Sequence, residues 1–98
     1  MTPEAQRIAI AKVCGWKVEQ LASGWLWTHP NYSPQLNTGC PDYLNDLNAM
    51  HEAEKVKIIG TEYESDYCMY LYENAHQCFA TAPQRAEAFL RTLNLWTL

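Results

Sequence analysis

The sequence lacks long apolar runs, glycine- or proline-rich stretches and flexible linkers. No segment approaches the about 18 consecutive apolar residues of a membrane-spanning helix, so we expect no membrane partner. Four glycines and five prolines in 98 residues exclude collagen-like and low-complexity proteins. No internal repeat and no Gly/Ser-rich linker divides the chain, which has the length of one domain. We therefore predict a single domain over residues 1–98.

An excess of basic residues is missing as well. Seven lysines and arginines against eleven aspartates and glutamates give a net charge of −4. A nucleic-acid-binding protein would carry a basic patch or stripe, so we expect no nucleic-acid partner. The first residues show no signal peptide, because no basic segment precedes a long apolar stretch. These absences together favour a cytoplasmic protein.

The cysteines do not follow the spacing of a zinc framework, because no C-x2-C pair occurs. Without a secretion signal we expect all four as reduced, mostly buried thiols. They are Cys14, Cys40, Cys68 and Cys78. A metal site remains an alternative, and its ligands would be His51, Cys68, His76 and Cys78.

Catalytic motifs are also absent. Asp42 and Asp46 lie one helical turn apart and could form a carboxylate pair, but Asp42 is better explained as a helix N-cap. His76 and Cys78 would share one face of a strand and could meet there. Neither pair supplies a nucleophile, a base and an orienting group together. We therefore predict a protein that is not an enzyme and carries no cofactor.

Aromatic residues are what the sequence has in excess: four tryptophans, six tyrosines and two phenylalanines. The apolar fraction of 48% beside a charged fraction of only 18% excludes intrinsic disorder. The chain can therefore build a core, and the excess of rings raises the question of which ones that core takes up.

End signals and periodicity predict three helices. The first covers residues 3–14 and begins at Thr2. The second covers residues 43–55 with Asp42 as its cap. The third begins with a capping box from Thr81 to Gln84 and stops at Asn94 in a left-handed conformation. We expect Arg85, Glu87 and Arg91 on its solvated face.

The remaining segments predict a small, mostly antiparallel sheet, and the fold class is therefore α+β. Residues 17–19 and 25–28 form a hairpin around the Ser23–Gly24 turn. Residues 29–41 read as a loop, and residues 56–59 as a short strand. Residues 62–79 fit both a two-faced strand and a helical stripe; their tyrosine content favours strand, with a last strand over residues 76–80.

Three segments resemble small tailed-bacteriophage proteins that carry a phage ABA sandwich domain. The segments are PDYLNDLNAMHEAEK (41–55), ATAPQRAEAFLRTLNLW (80–96) and, more weakly, IAIAKVCGW (8–16). The resemblance covers about half of the chain and implies an α-β-α layered fold and a location in the host cytoplasm. Most members of this family have no assigned activity, so it implies no catalytic residues. Asn94 departs from the pattern, in which glycine is usual.

We predict that the rings left over from the core form a partner-binding surface. For the two strand tryptophans core packing is the favoured interpretation, and exposure of one of them for binding is the alternative. The candidate residues are Trp25, Trp27, Tyr32, Tyr67, Tyr70 and Tyr72. The function hypothesis is a non-enzymatic phage accessory protein that binds a host or phage protein and inhibits a bacterial defence system. An alternative is a binder of a nucleotide-like signal, with Arg85 or Arg91 facing its phosphate. A metal or enzyme domain ranks below both, and self-association stays open.

Overall fold

The computed structural model describes residues 1–22, 24–30, 32–36, 41–74 and 80–97, and only the backbone of residues 32–36 and 74. The α+β class is confirmed, but the described residues form four helices where the sequence predicted three. In chain order the elements are α1 (Pro3–Val13), β1 (Lys17–Leu21), β2 (Gly24–His29), β3 (Tyr32–Leu36), α2 (Leu47–Lys57), α3 (Glu64–Asn74) and α4 (Ala82–Thr92).

The first and last helices agree with their end signals. Thr2 caps α1 by accepting a hydrogen bond from the Ala5 amide at 3.1 Å. Both halves of the predicted capping box at the start of α4 are present, from Thr81 and from Gln84. Asn94 adopts the predicted left-handed conformation after α4, with φ of 59°. These ends formed as predicted because cap chemistry acts over four residues and needs little from the rest of the chain.

The start of α2 differs from the prediction. The helix begins at Leu47, and its cap is Asp46, whose Oδ1 accepts from the Asn48 amide at 3.0 Å. Asp42 instead accepts from the Asn45 side chain at 3.0 Å, within a turn that precedes the helix. The two aspartates carry the same capping signal one turn apart, and the later one begins the helix.

Two segments with strand-like composition are helical. Helix α2 continues to Lys57 and is followed by a turn, so the strand predicted over residues 56–59 is wrong. The leaning toward strand at residues 62–74 is also wrong, because α3 buries Tyr67 and Leu71, four residues apart, on one face. Packing of that face outweighs the strand preference of tyrosine. The strand predicted over residues 76–80 lies outside the described residues, except for Ala80.

The three strands form an antiparallel sheet in the order β1-β2-β3. The predicted hairpin is confirmed, and its register pairs Lys17 with Thr28 and Leu21 with Gly24. Strand β3 lies within the segment predicted as loop and pairs Gln35 with Trp27. The prolines and polar residues of this segment are typical of a loop, and the sequence therefore did not predict the strand. A strand at the edge of a sheet nevertheless tolerates a proline where its amide would face outward.

Helix α4 is the centre of the core. It packs against α1, α2 and α3, and its residues Ala86, Phe89 and Leu90 are completely buried. Trp16 and Trp27 join the same cluster from the sheet side. None of the helices in the described part of the chain combines the length and apolar character needed to cross a lipid bilayer.

Gly15 connects α1 to the sheet and offers a stability test. Its φ is +101°, and a Cβ at this position would lie 3.2 Å from Nε2 of His29. We expect Gly15→Ala to lower the free energy of unfolding by about 2 kcal/mol, since it adds left-handed strain and a close contact. Urea denaturation followed by tryptophan fluorescence measures the loss.

Gly60→Ala is the matched control. Gly60 also has a positive φ, of +78°, but a Cβ there would meet nothing within 4 Å. This variant should lose less stability than Gly15→Ala, because only the backbone term remains. An equal or larger loss in Gly60→Ala would show that the contact with His29 contributes nothing.

Candidate functional site

The structure separates the six aromatic residues predicted to bind a partner. Trp25 is 51% exposed and Tyr72 is 76% exposed, so both present their rings to solvent. Trp27 and Tyr67 are buried in the core, so their rings are not accessible to a partner. Tyr70 is partly buried against the core. Tyr32 belongs to β3, and its side chain lies outside the described part of the structure.

Position along the strand explains why the two tryptophans of β2 differ. Trp25 and Trp27 are two residues apart and therefore point to the same face of the sheet. Trp27 pairs with Val18, which packs against the core, whereas Trp25 pairs with Gln20 beside the exposed end of the hairpin. The structure thus buries one of the two strand tryptophans and exposes the other.

Helix α3 divides its side chains between the core and solvent. Tyr67 and Leu71 pack inward, and the opposite side forms a continuous exposed arc at helical spacing. We call this arc the outer face of α3, and it consists of Ser65, Asp66, Met69, Tyr72 and Glu73. Met69 is 59% exposed and lies one turn before Tyr72, so the two apolar side chains are neighbours on the surface.

The outer face was only partly visible in the sequence. Tyr72 was a candidate, but Met69 was not, because the candidates were chosen among the aromatic residues. A helical interpretation alone would have separated Met69 from Tyr67 and Leu71. The signal was therefore present as a 3.6-residue period, and it competed with an equally good alternation of two.

A buried ion pair between Glu54 and Arg85 connects α2 to α4. Nη1 of Arg85 lies 3.2 Å from Oε2 and 3.4 Å from Oε1 of Glu54, and both residues are more than nine-tenths buried. Nε of Arg85 also donates to the carbonyl oxygen of Ala80 at 3.3 Å. The prediction that Arg85 belongs to a solvated face is therefore wrong, because its charge is neutralised inside the protein. His51 approaches the same carboxylate, with Nδ1 at 3.4 Å from Oε1.

Tyr67 places its hydroxyl beside the Glu54–Arg85 pair. Burial raises the pKa of this hydroxyl, Glu54 raises it further, and Arg85 acts in the opposite direction. The hydroxyl makes no hydrogen bond of good geometry with the residues that the structure describes. A phenol held neutral in this way is a poor general base, so the cluster resembles a structural link more than a catalytic one.

The junction of α1 with the sheet brings His29 to the backbone of Cys14. Nε2 of His29 lies 3.0 Å from the carbonyl oxygen of Cys14, and the His29 ring packs on Trp16 at a centroid distance of 5.2 Å. Burial raises the pKa of the Cys14 thiol to about 11, and Lys57 and Tyr43 offset this only in part. Since the thiolate is the nucleophile, Cys14 is unreactive near neutral pH.

Asp42, Asp46 and Arg91, which the sequence offered for catalysis or ligand binding, all contact other residues of the chain. Asp46 caps α2, and Asp42 accepts from Asn45 and lies 3.8 Å from Arg7. Arg91 donates to Glu87 at 3.1 Å and lies 4.9 Å from the centre of the Trp96 ring.

The ligands of the alternative metal site are only partly described. Within the described ranges no three or more His, Cys, Asp or Glu residues are grouped to hold a metal ion. Two of the four ligands of this alternative site, His76 and Cys78, lie outside these ranges, as does Cys40.

Comparison with protein-family models, with curated proteins and with solved structures finds no match for the chain.

The buried ion pair yields the next prediction. We expect Glu54→Gln to lower the free energy of unfolding by about 3 kcal/mol, because it leaves the Arg85 charge buried without a counter-ion. Replacing both partners with apolar residues, as Glu54→Leu with Arg85→Met, should recover part of that loss. Urea denaturation followed by circular dichroism measures all three proteins.

Glu87→Gln serves as the control, because it removes a carboxylate from the half-exposed pair with Arg91. Its cost should stay below about 1 kcal/mol, as for other surface pairs. Equal losses for Glu54→Gln and Glu87→Gln would contradict the role assigned to the buried pair.

Proposed function

We propose that this chain is a non-enzymatic accessory protein that binds another protein through the outer face of α3. The observation that carries the proposal is the exposure of Met69 and Tyr72, side by side, on a helix whose opposite face is buried. Tyrosine and methionine are enriched at protein interfaces because they supply large contact areas. Neither is needed in this position to build the core.

The helix supports these two side chains rigidly. Tyr67 and Leu71 anchor α3 against the α4 side of the core, where both are almost completely buried. A pre-ordered contact surface loses less conformational entropy on binding than a flexible loop does. The outer face of α3 therefore meets a general requirement for a protein-binding site.

The identity of the partner class rests on the phage resemblance of residues 8–16, 41–55 and 80–96. On this basis we propose that the partner is a host or phage protein in the host cytoplasm, such as a component of a bacterial defence system. The α-β-α sandwich that the resemblance implies is part of the same proposal. Its third layer would cover the sheet face opposite Trp27, and in the described structure Lys17, Glu19 and Leu21 are exposed on that face.

The contacts of the two candidate arginines favour protein binding over the alternative function, the binding of a nucleotide-like signal. That alternative needs Arg85 or Arg91 to meet a phosphate. Arg85 is buried against Glu54, and Arg91 contacts both Glu87 and Trp96. Both arginines would have to give up contacts within the chain to bind a ligand.

A pull-down from phage-infected host lysate, quantified by mass spectrometry, tests the proposal. We expect Tyr72→Ala and Met69→Ala each to reduce recovery of a specific partner about tenfold or more, as truncation of a central interface residue does. Trp25→Ala, at the hairpin end, should leave recovery unchanged if α3 is the contact surface. Circular dichroism confirms that each variant is folded.

Ile59→Ala is the matched control, since Ile59 is an exposed apolar residue outside α3. This variant should retain the partner. If the unmodified protein recovers no partner, protein binding itself is wrong. If only Trp25→Ala abolishes recovery, a partner exists but the hairpin end binds it.

A further inference from the structure

We infer that the outer face of α3 docks on an apolar protein surface flanked by lysine and arginine side chains. This inference rests on the proposed function and adds the chemistry of the partner. It is carried by the way the chain distributes its charge around Met69 and Tyr72.

The whole net charge of the protein lies on α3 and the turn before it. Between Lys57 and Arg85 the sequence contains four acidic residues and no lysine or arginine. The remaining seven acidic residues are matched in number by all seven basic ones. The net charge of −4 is therefore a local property of this segment, carried by Glu62, Glu64, Asp66 and Glu73.

Of the seven acidic groups elsewhere in the chain, four are paired with a basic side chain, and three, Glu4, Glu19 and Asp46, take part in no ion pair among the described residues. Asp42, Glu52, Glu54 and Glu87 each lie within 4 Å of a basic side chain of the chain. Within the described residues, the four carboxylates of the α3 segment take part in no ion pair and are exposed. Their charge is therefore available to a partner.

Two of the four carboxylates lie beside the apolar part of the outer face, along one side of the helix. Asp66 lies three residues before Met69 and Glu73 lies four residues after it, so both are its neighbours on the helix surface. Glu62 and Glu64 extend the negative charge beyond the N-terminal end of α3. An apolar centre with a charged rim is the usual anatomy of a protein interface.

Helix stability explains only some of these residues. Glu64 and Asp66 lie in the first turn of α3, where a negative charge is favourable to the helix dipole. Glu73 lies in the last turn, where the dipole disfavours a negative charge and where α3 has no basic residue. Its position beside Met69 and Tyr72 is explained by a basic partner, which would also be steered toward this face.

Two synthetic amphipathic peptides provide defined probes. Both carry the same leucine and tryptophan face, but one is flanked by lysine and arginine and the other by glutamate. We expect the basic peptide to shift the amide signals of residues 62–74 when titrated into the ¹⁵N-labelled full chain, and the acidic peptide to shift none. Met69→Ala should weaken binding of the basic peptide about tenfold, which separates docking from simple charge attraction.

Charge variants complete the test. Asp66→Asn with Glu73→Gln should weaken binding of the basic peptide about fivefold, whereas Glu4→Gln with Glu19→Gln should change it less than about twofold. Each pair removes one first-turn acid and one other exposed acid, so the overall charge change is the same.

The inference is overturned if the two charge pairs have equal effects, if the acidic peptide binds as well as the basic one, or if the shifts fall outside residues 62–74. It is also overturned if Met69→Ala leaves the affinity of the basic peptide unchanged. If any of these occurs while Tyr72→Ala still abolishes partner recovery from lysate, only the basic chemistry of the partner is wrong. If the unmodified protein recovers no partner from lysate, the proposed function itself is wrong.

Discussion

The packing of α3 against α4 determines which side chains of this protein meet solvent. Phe89 and Leu90 of α4 are completely buried, and Tyr67 and Leu71 bring α3 to the same core. Once these residues are inside, helical geometry places Met69 and Tyr72 outside. The candidate site is therefore a direct consequence of core packing, and its rigidity comes from the same contacts.

The Glu54–Arg85 pair adds an interaction with defined geometry to a largely apolar core. Hydrophobic contacts tolerate small shifts of one helix along another, whereas a buried carboxylate and guanidinium must meet with defined geometry. Arg85 lies one turn before Phe89 on α4, and Glu54 lies near the end of α2. The pair therefore fixes the position of α2 relative to α4, and the Tyr67 side chain of α3 packs beside it.

Local signals predicted the ends of α1 and α4 and the first hairpin, because caps and turns are decided within a few residues. The middle of the chain could not be predicted in this way. Tyr67 to Tyr72 fit a strand and a helix equally well, and only the position of α4 decides between them. Two aspartates offered the same cap for α2. The burial of Arg85 depends on Glu54, 31 residues away, and no local pattern contains that information.

The central claim is that the outer face of α3 is the contact surface for another protein. Photo-crosslinking in the cells in which we propose that the protein acts tests it most directly, with benzoylphenylalanine replacing Tyr72 in one variant and Ile59 in another. Our account predicts a crosslink between position 72 and a partner protein, and none from position 59. A partner that crosslinks from position 59 and not from position 72 would contradict it.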